Sequence, residues 1–237
     1  MSDNQENIQG KAKRGARHSA KKAQREQTVV SSNVIKRLPR YYRYLRQLLA
    51  EDIRRISSGE LSRMMNVTAS QIRQDFNCFG GFGQQGYGYN VKYLYTKIGE
   101  LLGVTSGLTA IILGAGNLGS ALASSPIFER RGIRLRALFD NSPALVGTSK
   151  YGFPVFDVSE LEEYVKNNKI DIAVITVPRE VAPEMAEKLA AYGIKGLWNF
   201  TSAELDVTKY GVEAENVHLG DSLMTLCYKV TNKDREE

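Results

Sequence analysis

A glycine-rich turn between two short apolar segments is the feature that most constrains what this chain can fold into. Residues 108–113 form a run that is long enough for a buried parallel strand and too short for a helix. The run breaks into a G-x-G-x-x-G turn that begins at Gly114, after which the pattern is helical. A second short strand, residues 135–139, ends on Asp140, about twenty residues beyond the last glycine. This strand–turn–helix–strand layout is typical of a dinucleotide-binding α/β domain.

Each residue type in the turn has a physical role. Gly114 permits the tight turn, Gly116 lets the backbone approach a pyrophosphate, and Gly119 lets the new helix pack closely on the sheet. The unpaired N–H groups at the start of that helix attract phosphates. Asp140 can accept hydrogen bonds from both ribose hydroxyls and repels a 2′-phosphate, which favours NAD(H) over NADP(H). The predicted cofactor-binding residues are Gly114, Ala115, Gly116, Asn117, Leu118, Gly119 and Asp140. The alternative is a glycine turn that serves strand–helix packing alone and binds nothing.

Strand and helix patterns alternate downstream of the second strand. Residues 159–167 and 180–192 have helical patterns, residues 170–177 and 195–200 are short strands, and residues 215–219 are predicted as the last strand. Such alternation predicts a mainly parallel, doubly wound sheet.

Residues just beyond the carboxyl ends of parallel strands line the ligand crevice of such a sheet. This rule nominates further cofactor-binding residues, namely Thr176, Val177, Pro178 and Asn199, with Phe200 and Thr201 beside them. The alternative is that Pro178 only begins the next helix and that Phe200 belongs to the core.

The net charge of +6 is concentrated near the start of the chain. Residues 11–25 carry seven basic residues and no acid, and residues 1–28 lack the apolar content to fold alone, so a disordered basic arm is predicted there. A second basic cluster lies in a patterned segment and contains Lys36, Arg37, Arg40, Arg43 and Arg46. Two basic clusters at one end of the chain indicate a polyanionic partner, with DNA the favoured one.

A helix-turn-helix pattern follows this cluster. Residues 34–49 have a helical apolar spacing, in which Pro39 is expected to kink or restart the helix. Two capping-box spacings then begin at Ser57 and Thr68, and the second opens a helix that is predicted to continue to Phe79. Two short helices joined by a tight turn are typical of this DNA-binding motif.

The second short helix has a polar outer face. Its spacing buries Ile72 and Phe76 and leaves outward a polar set made of Ser70, Gln71, Arg73, Gln74 and Asn77. Arginine pairs with guanine in the major groove, and glutamine or asparagine pairs with adenine. These five residues, with Arg37 and Arg43 of the basic cluster, are therefore predicted to bind DNA. An ordinary pair of surface helices is the alternative.

Residues 80–89 contain glycines flanked by aromatic residues and are predicted to form a tight hairpin, which would be the wing of a winged helix. A helix over residues 91–102 follows, with Gly103 as its C-cap. The wing residues predicted to bind DNA are Gln85, Gly86 and Tyr87.

The end of the chain carries an amphipathic helical pattern. Residues 221–231 place Leu223, Leu226 and Val230 on one apolar face, with Met224 and Cys227 beside them. This face covers either its own domain or a partner subunit, and the spacing does not distinguish the two.

Other classes of function are disfavoured. No apolar run approaches the length of a membrane span, and the N-terminus has no signal-peptide core, so no membrane partner and a cytoplasmic location are expected. The two cysteines, Cys78 and Cys227, have no metal-ligand spacing, and no metal is predicted. NAD(H) is the one cofactor that the motifs imply.

The expected fold class is α/β. Residues 1–28 form the basic arm, residues 29–103 a winged helix-turn-helix domain, residues 104–219 a Rossmann-type doubly wound parallel sheet, and residues 220–237 a C-terminal helix and tail.

Several ordered motifs now identify a resemblance. They include KRLPRYYRYL in the first helix, VTASQIRQDF in the outward-facing helix, GYNVKYL after the hairpin, GAGNLGSAL at the glycine turn, and ITVPRE and GIKGLWNF further on. Over about residues 36–230 the chain resembles the redox-sensing transcriptional repressor Rex family.

The resemblance implies a homodimer that binds double-stranded operator DNA when NADH is scarce and leaves it when NADH binds. It also implies that the C-terminal helix, residues 221–231, is exchanged between subunits and docks on the partner. Carried onto this chain, Arg73 and its neighbours contact DNA. The cofactor positions it implies are Gly114, Gly116, Gly119 and Asp140, with Thr176, Pro178 and Asn199 nearby.

Several positions depart from the family pattern. Gln74 and Gln85 stand where basic residues are common, which removes two cations from the DNA-binding surface. Ser125 and His218 stand where the resemblance leads us to expect a tyrosine and an aspartate. In the family, that tyrosine and aspartate, with an arginine matching Arg43, help couple cofactor binding to domain closure. A buried structural histidine is the favoured interpretation of His218, and a pH-linked response is the alternative.

Three functional hypotheses follow. The first is a repressor whose DNA affinity is set by NAD(H), and it is not an enzyme. The second is a related protein that binds DNA without the usual NADH response, which the departures at Ser125 and His218 motivate. The third is a small NAD-dependent oxidoreductase, which needs a proton donor near the nicotinamide. No recognisable Tyr-x-x-x-Lys or His–Asp arrangement is expected beside the predicted crevice.

Overall fold

The computed structural model describes residues 31–78, 83–84 and 87–232. The chain divides into two compact units, one ending at Leu102 and one beginning at Gly103. The predicted arm over residues 1–28 and the predicted wing residues Gln85 and Gly86 lie outside the described residues.

The first unit begins with one long helix, α1 (Ser32–Ala50). Its buried residues follow the predicted spacing and are Val34, Leu38, Tyr41, Leu45 and Leu48. The helix continues through Pro39, so the predicted restart does not occur. Pro39 lies on the exposed side, and the burial of Leu38 and Tyr41 beside it outweighs the loss of one backbone donor.

The two predicted short helices are α2 (Ser58–Met65) and α3 (Ala69–Asn77). Both begin where the capping residues predict: Ser57 forms a complete capping box, and Thr68 Oγ1 accepts from the N–H of Gln71 over 3.1 Å. Asn66, in the left-handed region at φ 49°, ends α2 and makes the tight turn. The second helix ends at Asn77 rather than at Phe79.

A small antiparallel sheet completes the first unit together with α4 (Val91–Leu101). Its strands are β1 (Arg55–Ile56), β2 (Gly83–Gln84) and β3 (Gly88–Asn90), with β3 between the other two. Gly88 has φ +68°, and a Cβ there would lie 2.9 Å from the carbonyl oxygen of Ile56, so this strand position requires glycine. β2 and β3 pair as the two antiparallel strands of the predicted hairpin.

The second unit is built on a seven-stranded sheet. The strands are β4 (Thr109–Leu113), β5 (Arg134–Asp140), β6 (Ser149–Lys150), β7 (Phe153–Asp157), β8 (Ile172–Ile175), β9 (Gly196–Asn199) and β10 (Glu213–Asn216). The order is β10-β9-β8-β4-β5-β7-β6, and all neighbours are parallel except β6 and β7. Among the parallel strands this is the 3-2-1-4-5-6 order of a Rossmann sheet.

Helices α5 (Asn117–Ser124), α6 (Leu161–Asn167), α7 (Ala182–Ala191) and α8 (Leu219–Thr231) belong to this unit. Side chains from alternate positions of β4 enter two cores: Ile111 packs with residues of α6 and α7, and Ile112 packs with Ala123 of α5. Both faces of the sheet are therefore covered, as the doubly wound prediction requires.

The last strand is β10 (Glu213–Asn216), not residues 215–219. The predicted range contains the apolar residues Val217 and Leu219, whereas the strand itself is mostly polar and none of its residues is fully buried. An edge strand needs only one paired side and therefore lacks the apolar run that marks a central strand.

Candidate functional site

The glycine turn lies at the point where the sheet changes direction. β4 is paired with β5 on one side and with β8 on the other. The helix that leads to β5 and the helix that leads to β8 pack in different cores, on opposite faces of the sheet. Ligands of open α/β sheets bind in the crevice at such a switch point, beyond the carboxyl ends of the strands. The turn that begins at Gly114 follows the carboxyl end of β4 directly.

The three glycines of the turn meet different surroundings. Gly114 has φ +93°, and a Cβ there would lie 2.7 Å from the carbonyl oxygen of Thr176. A Cβ on Gly119 would lie 1.9 Å from the carbonyl oxygen of Gly114, so the chain's own packing requires glycine at both positions. Around Gly116, in contrast, no described atom apart from the adjoining backbone lies within 4 Å of such a Cβ. The space beside Gly116 is therefore open to a ligand.

The start of α5 offers unpaired donors to that space. Gly116 is the N-cap, and no side chain caps the helix there. The first N–H groups of a helix have no acceptor within the helix, and the helix dipole adds positive character at this end. Gly116, Asn117 and Leu118 are exposed, whereas Ala115 and Gly119 are buried. The exposed part of the turn is thus a ready anion site.

Asp140 is tied to the glycine turn. Its Oδ2 accepts from the N–H of Ala115 over 2.6 Å, and its Oδ1 accepts from the N–H of Ser142 over 2.8 Å. The bond from Ala115 joins the end of β5 to the turn, a role that the sequence did not indicate. A carboxylate has about four acceptor positions. The half-buried Asp140 therefore has acceptor positions left for a further partner.

The side chains of Thr176 and Asn199, both predicted to lie at the cofactor site, are engaged in hydrogen bonds within the protein. The Thr176 hydroxyl lies 2.8 Å from the carbonyl oxygen of Leu113 and 2.9 Å from that of Gly114, so its one proton is used within the turn. Asn199 is fully buried, donates to Ala203 and Asn216, and accepts twice from Thr201. The structure therefore makes both side chains positioning groups.

Val177 and Pro178 lie beyond the end of β8, where Val177 is half-buried and Pro178 is exposed. Pro178 does not occupy the first turn of the next helix, because α7 begins at Ala182. Both residues follow the strand adjacent to the glycine turn, the place that the crevice rule predicts.

In the first unit, α3 presents the predicted polar face. Ser70, Arg73, Gln74 and Asn77 are exposed, while Ile72 and Phe76 are buried. Gln71 differs from the others because it is half-buried and its side-chain nitrogen donates to Asp75 over 2.8 Å.

Asp75 is the centre of a network that was not predicted from the sequence. Asp75 is fully buried and accepts a bidentate pair of hydrogen bonds from Arg37, from Nε and Nη2, each over 2.7 Å. It also accepts a hydrogen bond from the Tyr41 hydroxyl over 2.7 Å. The signal was present, because Asp75 falls on the same helical face as Ile72 and Phe76. An acidic residue on an apolar face predicts a buried partner.

The network keeps Asp75 ionised. Burial alone would raise the pKa of Asp75, but hydrogen bonds from Arg37, Tyr41 and Gln71 outweigh it and hold the pKa below its ordinary value. Burial and the hydrogen bond to Asp75 raise the pKa of Tyr41, so its hydroxyl stays a donor. The ion pair thereby fastens α3 to α1.

The basic cluster divides into internal and external cations. Arg37 binds Asp75, and Arg40 donates to the carbonyl oxygen of Met65 at the end of α2. Lys36, Arg43 and Arg46 are exposed. Arg37 was predicted to bind DNA, but the structure uses its guanidinium to position α3.

An arginine that the prediction omitted lies at the wing. Arg55 of β1 is exposed, donates to the carbonyl oxygen of Tyr87 over 3.1 Å, and places its guanidinium carbon 6.0 Å from the Tyr87 ring centroid. The Tyr87 side chain is 70% exposed, so the pair stands on the surface.

The two departures from the family pattern also have defined places. Ser125 follows the end of α5 and lines an open cavity of about 840 Å³ together with Arg134 and Arg136. This cavity lies at the amino end of β5, away from the glycine turn. His218 precedes α8, is half-exposed, and has no side-chain hydrogen bond among the described residues. It is therefore not the buried, bonded histidine that was predicted.

Helix α8 carries an uncovered apolar surface. None of its residues is buried in the single chain. Six large apolar side chains are between 56% and 69% exposed, namely Leu219, Leu223, Met224, Leu226, Tyr228 and Val230. A helix of this composition is normally buried against another surface.

Within residues 31–78 and 87–232, no helix is long and apolar enough to cross a membrane. The described part of the chain also holds no group of three or more His, Cys, Asp or Glu side chains that could bind a metal ion.

Comparisons with known proteins find matches to both units. A family described as "Putative DNA-binding protein N-terminus" matches residues 29–77, and a family described as "CoA binding domain" matches residues 105–203. The redox-sensing transcriptional repressor Rex of Clostridium perfringens (strain SM101 / Type A) is 50% identical over 205 residues, which are 86% of this chain and 96% of that protein.

Solved structures extend the agreement to the fold. The crystal structure of RSP in complex with β-NAD⁺ and operator DNA has a TM-score of 0.82 and 49% identity, covering 87% of this chain and 94% of that one. The crystal structure of RSP in complex with β-NADH has a TM-score of 0.80 and 46% identity, with coverage of 87% and 96%. RSP is described as a Rex-family repressor. The chain therefore belongs to the Rex family of redox-sensing transcriptional repressors.

Proposed function

We propose that this protein represses transcription by binding operator DNA and that NADH, bound at the glycine turn, releases it. The observation that carries the proposal is the open space beside Gly116 at the sheet's switch point, with Asp140 at its edge. The same chain also carries a helix-turn-helix whose outward face is polar. A dinucleotide site and a DNA site on one chain are what a cofactor-controlled repressor needs.

The dinucleotide acts here as a ligand whose ring changes charge and shape with its redox state. The N–H groups of Gly116, Asn117 and Leu118 hold the pyrophosphate, and Asp140 accepts from the adenosine ribose. Val177 and Pro178 border the crevice, while Thr176 and Asn199 keep the strand ends in place. These assignments are part of the proposal.

On the DNA side, the recognition helix α3 enters the major groove and the wing contacts the backbone beside it. The base-facing residues are Ser70, Gln71, Arg73, Gln74 and Asn77. Arg43 supplies a phosphate contact from α1, and Tyr87 with Gln85 and Gly86 supplies the wing contacts. We add Arg55 to the proposed DNA contacts because it is exposed beside Tyr87.

We further propose a homodimer in which α8 of each subunit docks on its partner. The exposed apolar side chains of α8 support this, because such a surface is costly to leave in water. The domain bounds that accompany the proposal are residues 29–103, 104–219 and 220–237. The working location is the cytoplasm, where operator DNA and the NAD(H) pool are found together.

A repressor that has lost the NADH response is the second candidate. Ser125 and His218 favour it, because neither can supply the tyrosine hydroxyl or the aspartate charge that the family resemblance leads us to expect. The oxidoreductase hypothesis is not supported, because the relatives that align with this chain over most of their own length are repressors.

Fluorescence anisotropy of labelled operator DNA tests the proposal. An operator is first selected from random duplexes without cofactor, and NADH or NAD⁺ is then titrated at fixed salt and pH. We expect NADH to release the DNA at concentrations where NAD⁺ does not. Each tenfold loss of affinity corresponds to about 1.4 kcal/mol of coupling between the sites. DNA that stays bound at saturating NADH contradicts the proposal and favours the second candidate.

A further inference from the structure

One side chain of the recognition helix, Gln71, is held in place by the protein's own contacts. Its Nε2 donates to Asp75 Oδ1 over 2.8 Å, one helical turn further along α3. Asp75 is fully buried and also accepts from Arg37 and Tyr41, so the carboxylate is fixed as well. We propose that this network orients the Gln71 amide in advance and makes Gln71 an adenine-recognising residue of the operator site.

The chemistry of Asp75 decides which way the amide points. An ionised carboxylate accepts hydrogen bonds and donates none, and the nitrogen is the only donor of a glutamine side chain. The nitrogen of Gln71 must therefore face Asp75, and its Oε1 must face elsewhere. One N–H and the carbonyl oxygen remain for another partner.

These remaining groups match the major-groove edge of adenine. Adenine presents a donor at N6 and an acceptor at N7, which pair with the oxygen and the N–H of a glutamine amide. Gln71 is the third residue of α3, and the first residues of a recognition helix contact base edges. Because ordering a free glutamine side chain costs entropy, an amide that is already oriented binds its base with a smaller loss.

Gln74 provides a matched control on the same helix. It is exposed, and the described residues give its side chain no hydrogen-bond partner. Its amide is therefore free to rotate, so it carries no fixed preference for a donor or an acceptor.

The orientation is tested in the free protein by NMR of full-length chain labelled with ¹⁵N-glutamine. We expect one side-chain amide proton of Gln71 to be shifted downfield and slow to exchange, with restricted motion on the picosecond–nanosecond scale. The side-chain amide of Gln74 should be mobile. Equal mobility of the two amides would overturn the inference whatever the DNA does.

The recognition step rests on the proposed function and is tested with the selected operator, without NADH. Each base pair is substituted in turn, and wild type, Gln71→Met and Gln74→Met are compared after thermal unfolding has verified their folding. We expect Gln71→Met to lose about tenfold or more of the discrimination at one A·T pair. Because Gln74 is itself proposed to face the bases, Gln74→Met is expected to lower the affinity or alter the preference at other pairs, but to retain the discrimination at that A·T pair. If Gln71→Met weakens binding to every sequence equally, the inference about Gln71 fails while the proposed function stands. If the wild-type protein binds no DNA, both the inference and the proposed function are overturned.

Discussion

Gly116 and Gly119 stand three residues apart in the same turn, yet the fold constrains them differently. A Cβ on Gly119 would overlap the carbonyl oxygen of Gly114, while a Cβ on Gly116 would meet no described atom within 4 Å beyond the adjoining backbone. Packing therefore explains glycine at 119, whereas packing places no such demand on position 116, where we propose that a ligand does. The sequence pattern alone assigns both to the cofactor site and does not separate these roles.

Substitution of the two glycines should give opposite results. Gly119→Ala is expected to lower the free energy of unfolding by about 1–3 kcal/mol, because backbone must shift to admit the methyl group. Gly116→Ala should change it by no more than about 0.5 kcal/mol but should weaken NADH binding, because the methyl group occupies the space of the pyrophosphate. Chemical denaturation and NADH fluorescence titration measure the two effects. An unchanged NADH affinity in Gly116→Ala would contradict the assignment.

Asp75 carries a pH dependence of stability. Its pKa is lowered in the folded protein, so its contribution is present above the unfolded pKa of about 4 and is lost as the pH falls through the folded value. Removing the charge leaves Arg37 unpaired and should cost about 3 kcal/mol at neutral pH. We expect the stability difference between wild type and Asp75→Asn to shrink as the pH falls below about 4. Urea unfolding of both proteins at several pH values measures this difference in the free energy of unfolding. A difference that does not change with pH would rule out an ionised Asp75.

At the scale of elements, helix starts were predictable where a side chain makes the cap. Ser57, Thr68 and Asn90 each accept from a backbone N–H at the start of a helix, a local interaction that the sequence displays directly. The polar edge strand β10 was misplaced because it lacks an apolar run. The partner of Asp75 could not be predicted, since Arg37 lies on another helix and only the folded chain brings them together.

In the proposed homodimer, α8 is the element that depends most on the partner subunit, because its apolar side chains are exposed in the single chain. Asp substitutions at Leu223 and Leu226, which lie on its apolar stripe, should convert the dimer to monomer, because buried charges without partners are strongly unfavourable. Thr225→Asp, on another face of the same helix, is the control and should leave the dimer intact. Sedimentation velocity distinguishes the species. A Leu223→Asp/Leu226→Asp variant that remains dimeric would show that α8 does not form the interface.

At the scale of the whole molecule, the charge distribution predicts how DNA binding responds to salt. The segment 11–25 carries seven cations in addition to the exposed Lys36, Arg43 and Arg46. Deleting residues 1–28 should weaken operator binding and make the plot of log affinity against log salt less steep, by about 0.9 for each phosphate that the segment neutralises. The preference for the operator sequence should be unchanged. The same slope with and without the segment would show that it does not bind the DNA backbone.

The proposed repressor links two sites on one chain, and such linkage is reciprocal. If NADH lowers the affinity for operator DNA by a given factor, saturating operator must lower the affinity for NADH by the same factor. The decisive measurement is therefore the NADH dissociation constant of the full-length protein, determined by calorimetry with and without the selected operator. We predict weaker NADH binding in the presence of operator, by the factor found in the anisotropy titration. The same NADH affinity in both states would show that the two sites are not linked.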